Sequence, residues 1–127
     1  PWLPIKDKQL HHDVASQDKD SSSVLSFYKK MLKFRVQERA LKLGSTSFYD
    51  TPEPLLAFSR KFEKNNILCL FNMSSETLLV NLKNVESICN SPTQSFNFDT
   101  SELVLEDYGF TFLQSNGEEK MEVKKIT

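Results

Sequence analysis

The clearest pattern of hydrophobic and polar positions runs from Leu55 to Met73. In Leu55-Leu56-Ala57-Phe58-Ser59-Arg60-Lys61-Phe62, strand periodicity places Leu56, Phe58 and Phe62 on one face, interrupted by Arg60, with Leu55 and Ala57 opposite. In Ile67-Leu68-Cys69-Leu70-Phe71-Asn72-Met73, Ile67, Cys69, Phe71 and Met73 share a face, and Leu68 and Leu70 share the other. Apolar side chains on both faces predict strands covered from both sides, hence central in a sheet. Glu63-Lys64-Asn65-Asn66 between them reads as a short hairpin loop. A lone hairpin is marginally stable, so further strands are required. Candidates follow at 46–49, 77–82, 85–88, 95–98, 103–105 and 110–113, separated by turn residues such as Ser74-Ser75-Glu76 and Asn90-Ser91-Pro92. This spacing predicts a mostly β fold, an antiparallel β-sandwich of seven to eight strands. Its expected core contains Phe58, Cys69, Leu70, Phe71 and Leu79, met by Phe110 and Phe112 of the closing strand.

Ahead of the sandwich the period changes. From Val24 to about Leu41 the apolar residues fall at helical spacing, with N-cap candidates in 18–23 and Gly44 as the stop signal. The apolar positions of this helix cover an arc of roughly 220°, where a helix lying on one surface needs little more than ~100°. Such a helix is shaped to be covered on two sides. Residues 1–13 carry two prolines and no periodicity, which predicts an extended arm. The expected organisation is an arm plus helix over 1–43, the sandwich over 44–115, and a charged, fraying tail over 116–127. Opening on Pro-Trp-Leu-Pro without a methionine, the chain reads as the interior of a longer parent.

Composition adds few constraints. The 127 residues leave room for one ordinary domain and no large catalytic barrel. A net charge of −1 gives no pull toward nucleic acid or an anionic membrane. No apolar run approaches the roughly 20 residues of a membrane span. Cys69 and Cys89 fit no metal spacing, and Cys69, inside a strand, reads as a small buried hydrophobe rather than half of a disulfide. The expected localisation is cytoplasmic.

Residue types that could carry chemistry are present but scattered. His11-His12 has no cysteine or carboxylate pair at ligand spacing, so it reads as an exposed loop pair and no metal is expected. Lys29, Lys30 and Lys33 form a basic helical strip without interleaved aromatics, the pattern of a solvated face. There is no glycine-rich phosphate loop and no nucleophile elbow, and no cofactor is expected. Trp2 could stack on a sugar or anchor its own loop. Residue types and spacing alone therefore identify no active site.

Several stretches taken in order resemble a known family. Pro1-Trp2-Leu3-Pro4, then Asp13-Val14-Ala15-Ser16-Gln17, Ser23-Val24-Leu25-Ser26-Phe27-Tyr28 and Leu41-Lys42-Leu43-Gly44-Ser45, are similar to the end of the barrel in α-glucosidases and oligo-1,6-glucosidases of the α-amylase family. Leu68-Cys69-Leu70-Phe71-Asn72-Met73-Ser74 resembles their Leu-x-x-x-Asn-x-Ser strand, and 103–113 their closing strand. The series covers residues 1–115. It departs at Asp13, where relatives often carry Asn, and at Glu106-Asp107, where a proline commonly precedes Tyr-Gly.

The resemblance implies the last barrel loop and helix followed by a C-terminal β-sandwich. It also implies that the catalytic carboxylates lie upstream and that this chain is noncatalytic, shielding and stabilising the barrel of a glycoside hydrolase acting on α-glucosidic bonds. The implied partner is that barrel, in cis or in trans. The alternatives are a stand-alone sugar-binding module taking α-glucoside oligosaccharides, with Trp2 at its rim, and a protein-interaction domain. In the absence of a barrel the two-sided helix is expected to drive self-association through Phe27, Met31, Phe34 and Leu41.

Overall fold

The structure, a computed structural model, describes residues 3–90, 96–116 and 121–126, with side chains over 88–90 left out. It divides into two compact units, 1–38 and 39–127.

The first unit carries the expected helix from Val24, but the expected arm is partly helical as well. A 3-10 helix covers Asp7–His12, followed by α1 (Val14–Lys19) and α2 (Val24–Gln37). The reason is capping. Asp13 sits at the α1 N-cap with its carboxylate accepting from the Ser16 amide at 2.6 Å and the Ser16 hydroxyl at 3.1 Å. These bonds satisfy amide groups that a first turn leaves without intrahelical partners. Gln17 ties the pieces together: its Nε2 donates to the His12 carbonyl at 2.8 Å and its Oε1 accepts from the Leu25 amide at 3.1 Å. Ser23 caps α2 by accepting from the Ser26 amide, and its hydroxyl donates to the Gln17 carbonyl at 2.6 Å.

The helix expected to run unbroken to Leu41 ends at Gln37, and a separate α3 (Arg39–Leu43) opens the second unit. Gly44 stops α3 as expected, for a steric reason: a Cβ there would lie 2.3 Å from the Ala40 carbonyl oxygen and 2.9 Å from that of Lys61. Only a residue without a side chain allows the chain to pass so close to β2. Arg60 finishes the junction. Its guanidinium donates to the Ala40 and Leu41 carbonyls at 3.4 and 3.2 Å and to the Thr46 hydroxyl at 2.7 Å. A cation at the last carbonyls of a helix is well placed.

Beyond Gly44 the chain forms two antiparallel sheets, the mostly β sandwich the pattern predicts. The strands are β1 (Ser45–Phe48), β2 (Leu55–Phe62), β3 (Asn65–Asn72), β4 (Thr77–Leu82), β5 (Val85–Asn90), β6 (Phe96–Asn97), β7 (Glu102–Leu105), β8 (Phe110–Ser115) and β9 (Met121–Ile126). One sheet has the order β1-β2-β3-β8-β5, the other β6-β7-β4-β9. The central hairpin holds, with β2 and β3 flanked on both sides, but its loop is tighter than expected: Phe62 pairs with Asn65, leaving only Glu63 and Lys64 between them. The tail expected to fray supplies β9, paired with β4 from Thr77↔Ile126 to Leu82↔Met121. Its charges fit an edge strand, where Glu122, Lys124 and Lys125 deter pairing with another chain.

The core lies between the sheets. Leu55, Ala57, Leu68, Leu70 and Leu113 of the five-stranded sheet meet Leu78, Val80, Leu82, Phe96, Leu103 and Leu105 of the other. Most are fully buried, and each such aliphatic side chain contributes about 1.5–3 kcal/mol of transfer free energy. Expectations for individual core residues meet a mixed outcome. Cys69, Leu70 and Phe112 are buried as expected, whereas Phe58, Phe71, Leu79 and Phe110 are only half-buried. Of these only Leu70 faces the second sheet; Cys69 and Phe112 are buried on the outer face that also carries Phe58, Phe71 and Phe110.

Candidate docking surface

The outward side of the five-stranded sheet is built from the phenylalanines that alternate with the core residues. Strand register sets them in two rows. Phe48 pairs with Phe58, Phe58 with Cys69 and Cys69 with Phe112; beside that row, Leu56 pairs with Phe71 and Phe71 with Phe110. Ring centroids follow at 5.6 Å for Phe48–Phe58, 5.8 Å for Phe58–Phe71, 5.9 Å for Phe71–Phe110 and 6.0 Å for Phe71–Phe112. These spacings are those of interacting aromatic pairs. At one end Phe48 is 72% exposed; at the other Leu56 and Met73 are 39% and 63% exposed. An open cleft of about 350 Å³ lies beside Leu56 and Met73, walled also by Glu53, Pro54 and Leu55.

The opposite outer face has another character. The four-stranded sheet presents Leu79, Asn81, Glu102, Val104, Glu122 and Lys124, with Asn81 in register with both Glu102 and Glu122. One outer face of the sandwich is thus aromatic and aliphatic, and the other is mixed and charged.

The residues singled out from sequence do not come together at one place. Trp2 lies outside the described residues. On α2, Phe27 is 42% exposed, Met31 half-buried and Phe34 buried. Leu41, half-buried, belongs to α3 in the other unit. His11 and His12 end the 3-10 helix, exposed, and among the described residues no group of three metal-ligating side chains occurs. Lys29 meets Asp18 in an exposed ion pair. Cys69 is buried, its thiol 3.9 Å from the Ile67 carbonyl; the Cys89 side chain lies outside the described residues.

Two motif residues of the resemblance prove to be structural. Asn72, 2% exposed, sits where the chain leaves β3 for the other sheet. Its Nδ2 donates toward the carbonyls of Glu76 (2.6 Å), Glu106 (2.8 Å) and Leu105 (3.3 Å). Its Oδ1 accepts from the Ser74 amide at 3.1 Å and the Ser74 hydroxyl at 2.9 Å. One side chain therefore fastens the β3–β4 and β7–β8 crossings, both of which pass between sheets. Asp13, the other motif position, is the α1 cap described above, and its hydrogen bonds from the Ser16 amide and hydroxyl hold its carboxyl below the ordinary carboxylate value. Asp20 is lowered likewise by the Ser22 hydroxyl and amide. Asp13 caps α1, while Asp20 fastens the turn that leads into α2.

No family model matches the chain. Among curated proteins, the chain is 42% identical over 76 residues to a probable alpha-glucosidase of Rhizobium meliloti (strain 1021), covering 60% of this chain and 14% of that protein. It is 30% identical over 73 residues to a cyclomaltodextrinase of Thermoanaerobacter pseudethanolicus, covering 58% of this chain and 13% of the relative. The chain thus spans about one-seventh of the length of these relatives. Among solved structures, an isomaltulose synthase of Erwinia rhapontici NX5 superposes with a TM-score of 0.76 at 22% identity, over 91% of this chain and 22% of that one. The trehalulose synthase MutB of Pseudomonas mesoacidophila MX-45 gives 0.75 at 20% identity, over 90% and 22%.

These two solved structures share the fold of the chain. In sequence its likeness is to a probable alpha-glucosidase and a cyclomaltodextrinase, in keeping with the resemblance its motifs carry.

Proposed function

We propose that this chain is the noncatalytic C-terminal portion of an α-glucosidase-type glycoside hydrolase, which shields and stabilises the end of the catalytic barrel. The observation that carries the reading is the 42% identity over 76 residues to a probable alpha-glucosidase of which the chain spans only 14%. The remainder of such a protein is long enough to hold the barrel and its carboxylates.

A chromogenic α-glucoside offered to the 127-residue chain should be released no faster than in buffer, and clear turnover would overturn the proposal. Calorimetric titration with maltose and maltotriose tests the sugar-binding alternative. Heat at millimolar or tighter affinity would replace the stabilising role with carbohydrate recognition.

A further inference from the structure

On the outer side of the four-stranded sheet the polar residues fall in register. Leu78, Val80 and Leu82 turn into the core, so Leu79 and Asn81 of β4 stand outside. Asn81 pairs with Glu102 of β7 on one side and Glu122 of β9 on the other, while Leu79 pairs with Val104 and Lys124. Leu79, Asn81, Glu102, Glu122 and Lys124 wall a small depression of about 40 Å³. Side chains opposed on adjacent strands start about 5 Å apart, and two strand spacings set Glu102 about 10 Å from Glu122. Two carboxylates thus flank one amide, with an ammonium group one pair further along.

Among the described residues, the side chains of Asn81, Glu102, Glu122 and Lys124 have no hydrogen-bond or ion-pair partner. Lys29 and Lys125 both meet an acid, whereas Lys124 stands beside two and meets neither. Protection of a sheet edge accounts for charges on β9. It does not account for Asn81 and Glu102, half-buried on β4 and β7, since each of those strands has a neighbour on both sides.

The chemistry of the set separates its possible ligands. A metal cation would suit the carboxylates and the amide oxygen but would face Lys124. A phosphate would suit Lys124 but would face two carboxylates. A neutral ligand with neighbouring hydroxyls engages every group, because a hydroxyl both donates and accepts, a carboxylate accepts, an ammonium donates and an amide does both. Leu79 adds the apolar contact that such a ligand's C–H face takes.

Resting on the function proposed above, which makes α-glucosides the parent's substrates, we infer that this depression is a surface site for a glucosyl unit of an α-glucoside oligosaccharide. Few hydrogen bonds and little buried area keep its affinity weaker than millimolar, so it accompanies the stabilising role and does not replace it.

The test titrates maltose into the isotope-labelled 127-residue chain, to about 100 mM, and follows backbone amide shifts by nuclear magnetic resonance. The expected result is saturable shifts over 79–81, 102–104 and 122–124, with a Kd on the order of 10 mM. Glu122→Ala, at an exposed side chain, and Asn81→Ala should each weaken binding about fivefold, whereas Lys64→Ala in the β2–β3 loop leaves it unchanged. Shifts that do not saturate, that spread over the whole chain, or that glycerol reproduces at equal concentration overturn the inference. So does unchanged binding in both the Glu122 and Asn81 variants. Calcium chloride moving the same amides while maltose leaves them still would assign the row to a cation instead. Failure of the parent reading shows separately, as glucoside turnover by the free chain.

Discussion

Replacing Asn72 by alanine should cost this protein more than any other single polar change in the sandwich. The substitution removes two donor hydrogens that serve the carbonyls of Glu76, Leu105 and Glu106, and an acceptor used twice by Ser74. A net hydrogen bond contributes about 1 kcal/mol, and a buried group left unsatisfied costs about 1–3 kcal/mol. Five such bonds would set a ceiling near 5 kcal/mol. Only the Leu105 contact is fully buried, while those to Glu76, Glu106 and Ser74 are partly so, and water can reach some of the stranded groups. The expected loss is therefore about 2–4 kcal/mol, of the order seen when a buried polar network is broken. Asn72→Asp should be worse than alanine at neutral pH, because a carboxylate would face three carbonyl oxygens with no hydrogen to donate. Urea unfolding followed by far-ultraviolet circular dichroism measures both, with Met73→Ala, a solvent-exposed neighbour, as reference. A loss under about 1 kcal/mol for Asn72→Ala, or an aspartate variant as stable as the parent chain, would refute the clamp.

Other substitutions test other parts of the structure. Thr111 is fully buried, and among the described residues its hydroxyl has no hydrogen-bond partner, so Thr111→Val should stabilise by about 1 kcal/mol in the same urea titration; destabilisation would mean the hydroxyl is satisfied. Leu68→Ala, at the centre of the core, should cost about 2–5 kcal/mol, whereas Phe48→Ala, which loses one ring contact with Phe58, should cost about 1 kcal/mol or less; similar losses would show that the two faces of the sheet are wrongly divided. The Asp13 cap predicts a pH dependence of the helical unit. A carboxyl whose folded pKa is lowered contributes stability that is complete above the ordinary value of 3.8 and is lost as pH falls through the lower folded value. Helical dichroism should fall on acidification through that range, and Asp13→Ala should remove the step; an unchanged step would assign it to another group.

Much of the sandwich was legible because burial and periodicity coincide there. In β4 the sequence alternates Leu78, Val80 and Leu82 with more open positions, and the structure buries those three. In β2 and β3 both faces are apolar, and sequence cannot say which one meets the second sheet. The phenylalanines drew the expectation inward, yet aliphatics supply most of the core, leaving Phe58, Phe71, Phe110 and Phe112 on the outer face. The signal was available: Phe58, Phe71, Phe110 and Phe112 all alternate with aliphatic or polar neighbours, so strand pairing necessarily gathers them on one side. The N-terminal arm was misjudged because its order rests on side-chain bonds at Asp13 and Gln17, which leave no hydrophobic period, whereas the Ser23 cap falls among the candidates in 18–23. β9 was missed because charge at a sheet edge looks like a fraying tail until its pairing with β4 is seen.

Asn72-Met73-Ser74 is also an Asn-x-Ser acceptor triplet for N-linked glycans. In the folded chain the acceptor nitrogen is buried against three carbonyls and out of an enzyme's reach. A glycan attached while the chain is still unfolded would replace one of the two amide hydrogens and place a bulky polar group where the two sheet crossings converge. Modification and folding compete for the same nitrogen. A host that glycosylates secreted proteins would thus turn a folding clamp into a folding block, and this domain should be produced where that triplet goes unread.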